Sequence, residues 1–172
     1  MRLVGIDPGC GATGWALVET KPMRILDIGT WRGGPEKIQQ LTMEWLDVHQ
    51  VERGIEYHVA IQVPGLWDGK WPRFYAGDKS GVGFAKHAMM AGWLCGMFSA
   101  CGWEVVPCPS AEMRKKGPKL PVALFRADWS YSGTPTSEHA RDAAYIALWG
   151  ASSLLWQRST YLFTRRGFGR WR

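Results

Sequence analysis

No run of apolar residues in this sequence reaches the roughly 18–20 needed to cross a bilayer. The first residues also lack a charged-then-apolar leader pattern, so a cytoplasmic protein is the expectation. Cysteine is scarce: the four residues Cys10, Cys95, Cys101 and Cys108 form no CxxC pair and no zinc-ligand spacing. That argues against a disulfide scaffold or a zinc knuckle and for reduced thiols behaving as small hydrophobes. No internal repeat and no Gly/Ser/Pro-rich linker divides the chain. Acid is missing from the last fifteen residues, "RSTYLFTRRGFGRWR", which hold five arginines.

What is present fits one folded domain. The chain has 172 residues, 46% hydrophobic and 13% aromatic, a composition that excludes a disordered or fibrous protein. Its net charge is +6, and the five C-terminal arginines carry most of that excess. They alternate with Tyr161, Phe163, Phe168 and Trp171, which suits phosphate contact plus stacking on bases. A solubilising tail would carry the same charge but has no use for the aromatics. Residues 1–157 are expected to form the domain and 158–172 a basic aromatic tail.

Hydrophobic periodicity predicts strands near 2–7, 13–19 and 24–31, joined by Gly-rich and Lys-Pro turns too short for anything but an antiparallel meander. Ile38, Leu41, Trp45 and Val48 recur at helical spacing after Pro35. A strand over 57–64 follows and should run parallel to the first, because a helix intervenes. Residues 65–81 form a long loop rich in glycine, aromatics and charge. A helix over 82–100 carries a small-residue face of Ala88, Ala91, Gly92, Cys95 and Gly96, open to intramolecular packing or to a second copy. A fifth strand over 103–109, a short basic helix "SAEMRKKG" and a closing helix over 136–157, capped by Thr136 or Ser137, complete the chain. The expected fold class is α/β: a five-stranded mixed sheet, three antiparallel strands then two parallel, with helices on both faces. Eleven tryptophans are more than any of these motifs uses.

Two polar residues interrupt this pattern. Asp7 ends the apolar run "LVGI", and Gln62 sits near the end of "HVAIQVP". A carboxylate at the end of a buried strand costs stability unless it is exposed, paired or bound to a cation. Parallel neighbours would bring Asp7 and Gln62 to adjacent positions on one edge. His139 and Asp142, three apart, share a face of the closing helix that becomes apolar at Ile146 and Trp149, so the packed helix should present both towards the sheet. Taken singly, Asp7 is also what a turn before Pro8 looks like, and Asp142 what complements a helix dipole. Taken together, they suit a hard divalent cation, Mg²⁺ or Mn²⁺, with the imidazole inclining towards Mn²⁺.

In order along the chain, "GIDPGCGATGWALVE", "VAIQVP", "CPSAEMRKKG" and "HARDAAYIALW" resemble the RuvC family of Holliday-junction resolvases, of bacterial or phage type. The likeness covers residues 1 to about 156. It implies an RNase H-like fold, a homodimer, a bacterial or phage-infected cell, and hydrolysis of phosphodiester bonds in four-way DNA junctions with about two Mg²⁺ or Mn²⁺ ions per site. Carried over by position, Asp7, Gln62, His139 and Asp142 are the metal-ligand set. Lys119 would approach the scissile phosphate, and Arg114, Lys115 and Lys116 would contact neighbouring phosphates. The 65–81 loop resembles one carrying an aromatic wedge; Leu66, Trp67, Trp71, Phe74 and Tyr75 are candidates, Trp67 first, with Lys70 and Arg73 beside them. Arg165, Arg166 and Arg170 would add DNA contacts from the tail. No nucleotide cofactor and no membrane partner are expected.

One position departs from the family's pattern, which has Glu where this chain has Gln62. An amide oxygen still coordinates a cation, but the site loses one formal charge, which weakens both Mg²⁺ binding and transition-state stabilisation. Glu-to-Gln is a near-isosteric swap of the kind made to trap an inactive nuclease with its DNA; a natural substitution is the other explanation. Either way the resemblance implies an impaired catalyst that still binds junctions. A non-cleaving binder of branched DNA, and a YqgF-like nuclease of the same fold acting on RNA, are the rival readings.

Overall fold

A computed structural model describes residues 1–20, 23–49, 55–64, 82–109 and 137–167, the last of these by backbone alone from 155 onward. The 65–81 loop, the basic segment 110–117 and Lys119 therefore lie outside the described residues, as do the Lys-Pro turn at 21–22 and Arg170. Five strands appear in chain order: β1 Arg2–Asp7, β2 Ala12–Thr20, β3 Met23–Arg32, β4 Tyr57–Val63 and β5 Glu104–Pro109. Three helices accompany them: α1 Pro35–Val48, α2 Val82–Ala100 and α3 Glu138–Gly167.

The strands form one sheet in the order β3-β2-β1-β4-β5. β1 pairs antiparallel with β2, and β2 with β3, whereas β4 runs parallel to β1 and β5 parallel to β4. This is the expected mixed sheet, and its register follows from alternation. Val4, Ile6, Trp15, Leu17, Trp31, Val59 and Ile61 point to one face, where Ile38, Trp45 and Leu46 of α1 and Met90, Leu94 and Phe98 of α2 cover them. Leu3, Ala16, Val18, Ala60 and Cys108 point to the other, under α3. Helices thus lie on both faces.

The two faces are packed on different principles. The α1/α2 face is aromatic: Trp45 lies 5.5 Å from Trp15, 6.3 Å from Trp31 and 6.1 Å from Trp103, and Trp103 in turn meets Tyr57 and Phe98. Four of the eleven tryptophans are accounted for by this cluster. The α3 face is built from residues with almost no side chain. A Cβ added to Gly5 would overlap the Ala143 carbonyl oxygen and come within 2.9 Å of the Ala147 Cβ. One added to Gly14 would overlap the His139 carbonyl and reach 2.8 Å from the Ala140 nitrogen. Ala140, Ala143, Ala144, Ala147 and Ala151 are all buried, so the α3 backbone rests almost directly on β1 and β2.

Close packing through small residues therefore occurs at α3 and not at α2. On α2 only Ala91 of the small face is fully buried, while Gly92 and Gly96 are exposed, with open space where a side chain would stand. The closing helix also runs further than its pattern suggests, through Gly167 into the segment expected to be tail. No glycine or proline interrupts 151–166, so nothing stops the helix before Gly167. All four cysteines are free thiols.

Candidate functional site

Asp7 is the last residue of β1 and only 8% exposed. Its loop is held shut locally: the buried Thr13 hydroxyl donates to the Gly9 carbonyl (3.0 Å) and accepts from the Gly9 N–H (3.2 Å). Across the sheet, Asp7 stands opposite Gly14, and Gly14 opposite Thr30. Directly opposed residues share a face, so Thr30, Gly14 and Asp7 form one transverse row beneath α3. On the other side of β1, Ile6 is level with Ile61 and Gly5 with Ala60. Carrying that register one residue further brings Gln62 beside Asp7 on the same face, as the strand pattern predicts.

The first turn of α3 lies along this row. Ser137 precedes the helix and accepts from the Ala140 N–H (3.1 Å), so Ser137, of the two candidates, is the cap. Its Oγ also hydrogen-bonds the Thr30 hydroxyl. The His139 backbone crosses over Gly14, and the His139 Nδ1–H donates to Asp7 Oδ2 at 2.7 Å. Asp142 follows one turn later. The expectation that α3 delivers His139 and Asp142 into the interior holds only in part. Both are exposed, the His139 side chain by 47%, and Asp7 alone is buried. The α3 backbone sits so close to the sheet that polar side chains of its first turn emerge at the rim.

The electrostatics are those of crowded acids. Burial pushes the Asp7 carboxyl above the ordinary aspartate range; the hydrogen bond and charge of His139 oppose this, and the charges of Asp142 and Glu138 reinforce it. Asp142 is also raised, first by its partial burial and then by Glu138, with His139 and Arg141 acting the other way. Glu138 is the residue that sequence reasoning missed; its place immediately before His139 in the first turn was the available signal.

His87 was missed as well, and with reason. It lies on α2, its ring hydrogen-bonds the Gln62 backbone, and burial holds its pKa below the usual histidine value. Nothing in the sequence links it to Gln62 until α2 is packed against β4. Beside it, the Cys10 thiol donates to the Lys86 carbonyl at 3.4 Å, which ties the loop after Asp7 to the same helix.

Two carboxylates, an amide and an imidazole gathered at one sheet edge are donors that a hard divalent cation accepts. In the geometry observed, Asp7 and His139 satisfy each other instead. Among the described residues, no three of His, Cys, Asp and Glu converge tightly enough to enclose an ion. The candidate DNA contacts Trp67, Lys70, Trp71, Arg73, Phe74, Tyr75, Arg114, Lys115 and Lys116 lie outside the described residues. Arg165 and Arg166 lie on the last turns of α3, where the backbone alone is described. No helix among the described residues is long and apolar enough to cross a membrane.

No protein-family model matches the sequence, and neither does any curated protein. Solved structures do match. A Thermus thermophilus RuvC in complex with a Holliday junction substrate superposes with a TM-score of 0.65 at 21% identity, covering 93% of this chain and 97% of that one. A second Thermus thermophilus RuvC structure gives a TM-score of 0.51 at 21% identity, over 86% and 92% of the two chains. At this identity the likeness is one of fold: the chain has the RNase H-like architecture seen in RuvC.

Proposed function

We propose that this chain is a structure-selective endonuclease of RuvC type that binds four-way DNA junctions and hydrolyses their phosphodiester bonds as a homodimer, and that Gln62 leaves it a poor catalyst but a competent binder. The observation that carries the proposal is the placement of Asp7, Gln62, His139 and Asp142 around one end of β1 and β4. That arrangement was expected from the sequence on chemical grounds, and it stands in a fold shared with a protein solved on a Holliday junction. Asp7, Gln62, His139 and Asp142 would hold the divalent metal, Mg²⁺ or Mn²⁺, which supplies the activated hydroxide and stabilises the leaving 3′ oxygen when bound. Lys119 would assist at the scissile phosphate. The basic and aromatic residues of 65–81, 114–116 and 165–172 would grip the junction arms.

Two observations support the finer points. The outer stripe of α2 exposes Val82, Met89 (73%), Gly92 and Gly96 around a single charge, Lys86, a surface suited to a second copy of the chain. Symmetric nicks across a junction need two sites, which such a dimer would provide. The non-cleaving alternative is favoured by Gln62 itself, which removes one formal charge from the set.

The deciding experiment is cleavage of a labelled synthetic four-way junction in Mg²⁺ and in Mn²⁺ by this chain and by its Gln62→Glu variant, with duplex and single-stranded controls. Symmetric nicks that appear, or rise steeply, in the variant support the proposal. Junction-selective binding with no cleavage by either form favours the binder. Absence of junction preference refutes the junction reading altogether.

A further inference from the structure

The transverse row of the sheet offers more than a floor for the site. It touches the first turn of α3 at three successive points: the Thr30 hydroxyl at Ser137 Oγ, the bare Cα of Gly14 under the His139 carbonyl, and Asp7 at the His139 ring. These contacts differ in what they constrain. Gly14 sets how close the helix comes but, lacking a side chain, cannot stop it sliding or turning. The bond from Asp7 ends on a side chain that rotates freely about its own χ angles. Of these three contacts, the Thr30–Ser137 bond is the one that ties the helix start to a fixed point of the sheet, and Ser137 Oγ is engaged at the same time by the Ala140 N–H. Rotation of the first turn about the helix axis must break one of these two bonds.

From this we infer that Thr30 is a positioning residue for the candidate metal-ligand set. Through Ser137 it fixes the rotation of the first turn of α3, and so the direction in which His139 and Asp142 face Asp7. Thr30 touches no ligand, lies far from every motif in the chain, and reaches the site only because β3 is level with β1 across β2. The inference rests on the metal-dependent reading given above.

Thr30→Val keeps the β-branched shape and strand preference of threonine and removes only the hydroxyl. Thr30→Ser keeps the hydroxyl. Mn²⁺ affinity, read from free Mn²⁺ by electron paramagnetic resonance, is measured on the parent chain, on Gln62→Glu, and on each with either substitution, alongside thermal unfolding without metal. Supporting groups around metal ligands are commonly worth about 10–100-fold in affinity, and Thr30 acts through an intermediary, so Thr30→Val is expected to raise the Mn²⁺ Kd about tenfold. Thr30→Ser is expected to restore it. In the Gln62→Glu background, Thr30→Val should lower kcat on a four-way junction without moving KM, and the unfolding curve must show the variant fully folded at the assay temperature, because a loss of folded protein would lower kcat in the same way.

An unchanged Kd in Thr30→Val, or a failure of Thr30→Ser to rescue, overturns the inference while leaving the metal reading standing. Absence of Mn²⁺ binding by both the parent and Gln62→Glu overturns the metal reading and the inference with it. If Thr30→Val does not fold, Ser137→Ala breaks the same bond from the helix side, and an unchanged Kd there is equally decisive.

Discussion

A single methyl group added at different glycines should separate the face of the sheet that tolerates no growth from surfaces that do. At Gly14 the new Cβ would overlap the His139 carbonyl oxygen and stand 2.8 Å from the Ala140 nitrogen. Both are backbone atoms in the first turn of a helix whose next residues are pressed on the sheet, so neither can swing aside. Overpacking a rigid core costs about 1–3 kcal/mol, and a backbone obstacle belongs at the upper end, about 3 kcal/mol for Gly14→Ala. For a domain of this size each kcal/mol moves Tm by roughly 2–4 °C, giving a fall of about 6–12 °C. At Gly150 the nearest atoms are side-chain carbons, Ala60 Cβ at 2.6 Å and Leu3 Cδ1 at 3.3 Å. Ala60 Cβ is fixed to the β4 backbone and cannot swing aside, so Gly150→Ala should cost about 1–2 kcal/mol, the overpacking penalty less the gain of about 1 kcal/mol for alanine over glycine inside a helix. At Gly34, which starts α1 with extended backbone, no side-chain cap and open space around it, Gly34→Ser should raise Tm by a degree or two through a new cap bond. The assay is thermal unfolding by circular dichroism at one pH without metal. A Gly14→Ala protein as stable as Gly34→Ser would refute the backbone-on-backbone account of α3.

The acids at the rim give a pH prediction with a definite sign. A carboxyl whose folded-state pKa is raised contributes full stability below its unfolded pKa, and that contribution is lost as pH rises through the folded value. Metal-free protein should therefore lose stability upward from about pH 4 as Asp7 and Asp142 ionise, and Asp7→Asn should unfold at a higher Tm than the parent at pH 7 while its Mn²⁺ affinity falls. A lower Tm for Asp7→Asn would show that the bond to His139 outweighs burial. Trp45→Ala should cost about 3–5 kcal/mol, because it empties the centre of the aromatic cluster, and the near-ultraviolet circular dichroism of the clustered indoles should weaken with it. At the opposite edge of the sheet, His58 is 3% exposed and its Nδ1 lies 2.9 Å from Glu104 Oε2, with Glu56 at 3.8 Å. Glu104→Ala should cost no more than about 0.5 kcal/mol in urea unfolding, because Glu104 is largely exposed and its approach to the ring lacks hydrogen-bond geometry.

Much of the fold was legible because the faces of the strands are chemically distinct. Alternation in "RLVGID" and "YHVAIQV" fixes which side each residue takes, and the intervening helix forces β4 parallel to β1, so Asp7 and Gln62 could be placed together without coordinates. His139 and Asp142 followed from helical spacing. Thr30 could not be found in this way. Its alignment with Gly14 depends on a β2–β3 register that shifts between Leu17 and Val18, and a one-residue irregularity of that kind leaves no trace in hydrophobicity. The exposure of His139 and Asp142 was also hidden, because a pattern of alanines signals a buried face without saying how near the helix backbone will come. The end of α3 at Gly167 is set by something else: charge and aromatics in 158–167 say nothing about the backbone, which continues helical because no breaker stands before Gly167.

The contrast between the two faces of the sheet has an evolutionary consequence. On the aromatic side, large residues can be traded for others of similar volume, and the loss of a contact can be made good by a neighbour growing into the gap. On the α3 side, Gly5, Gly14 and the alanines facing them have almost nothing left to lose and no room to gain. Change there can only be an increase in size, and every increase lifts the helix and the groups at its start away from Asp7. Substitutions are therefore tolerated from one side of the sheet only, and the groups around Asp7 keep their places while the aromatic side changes.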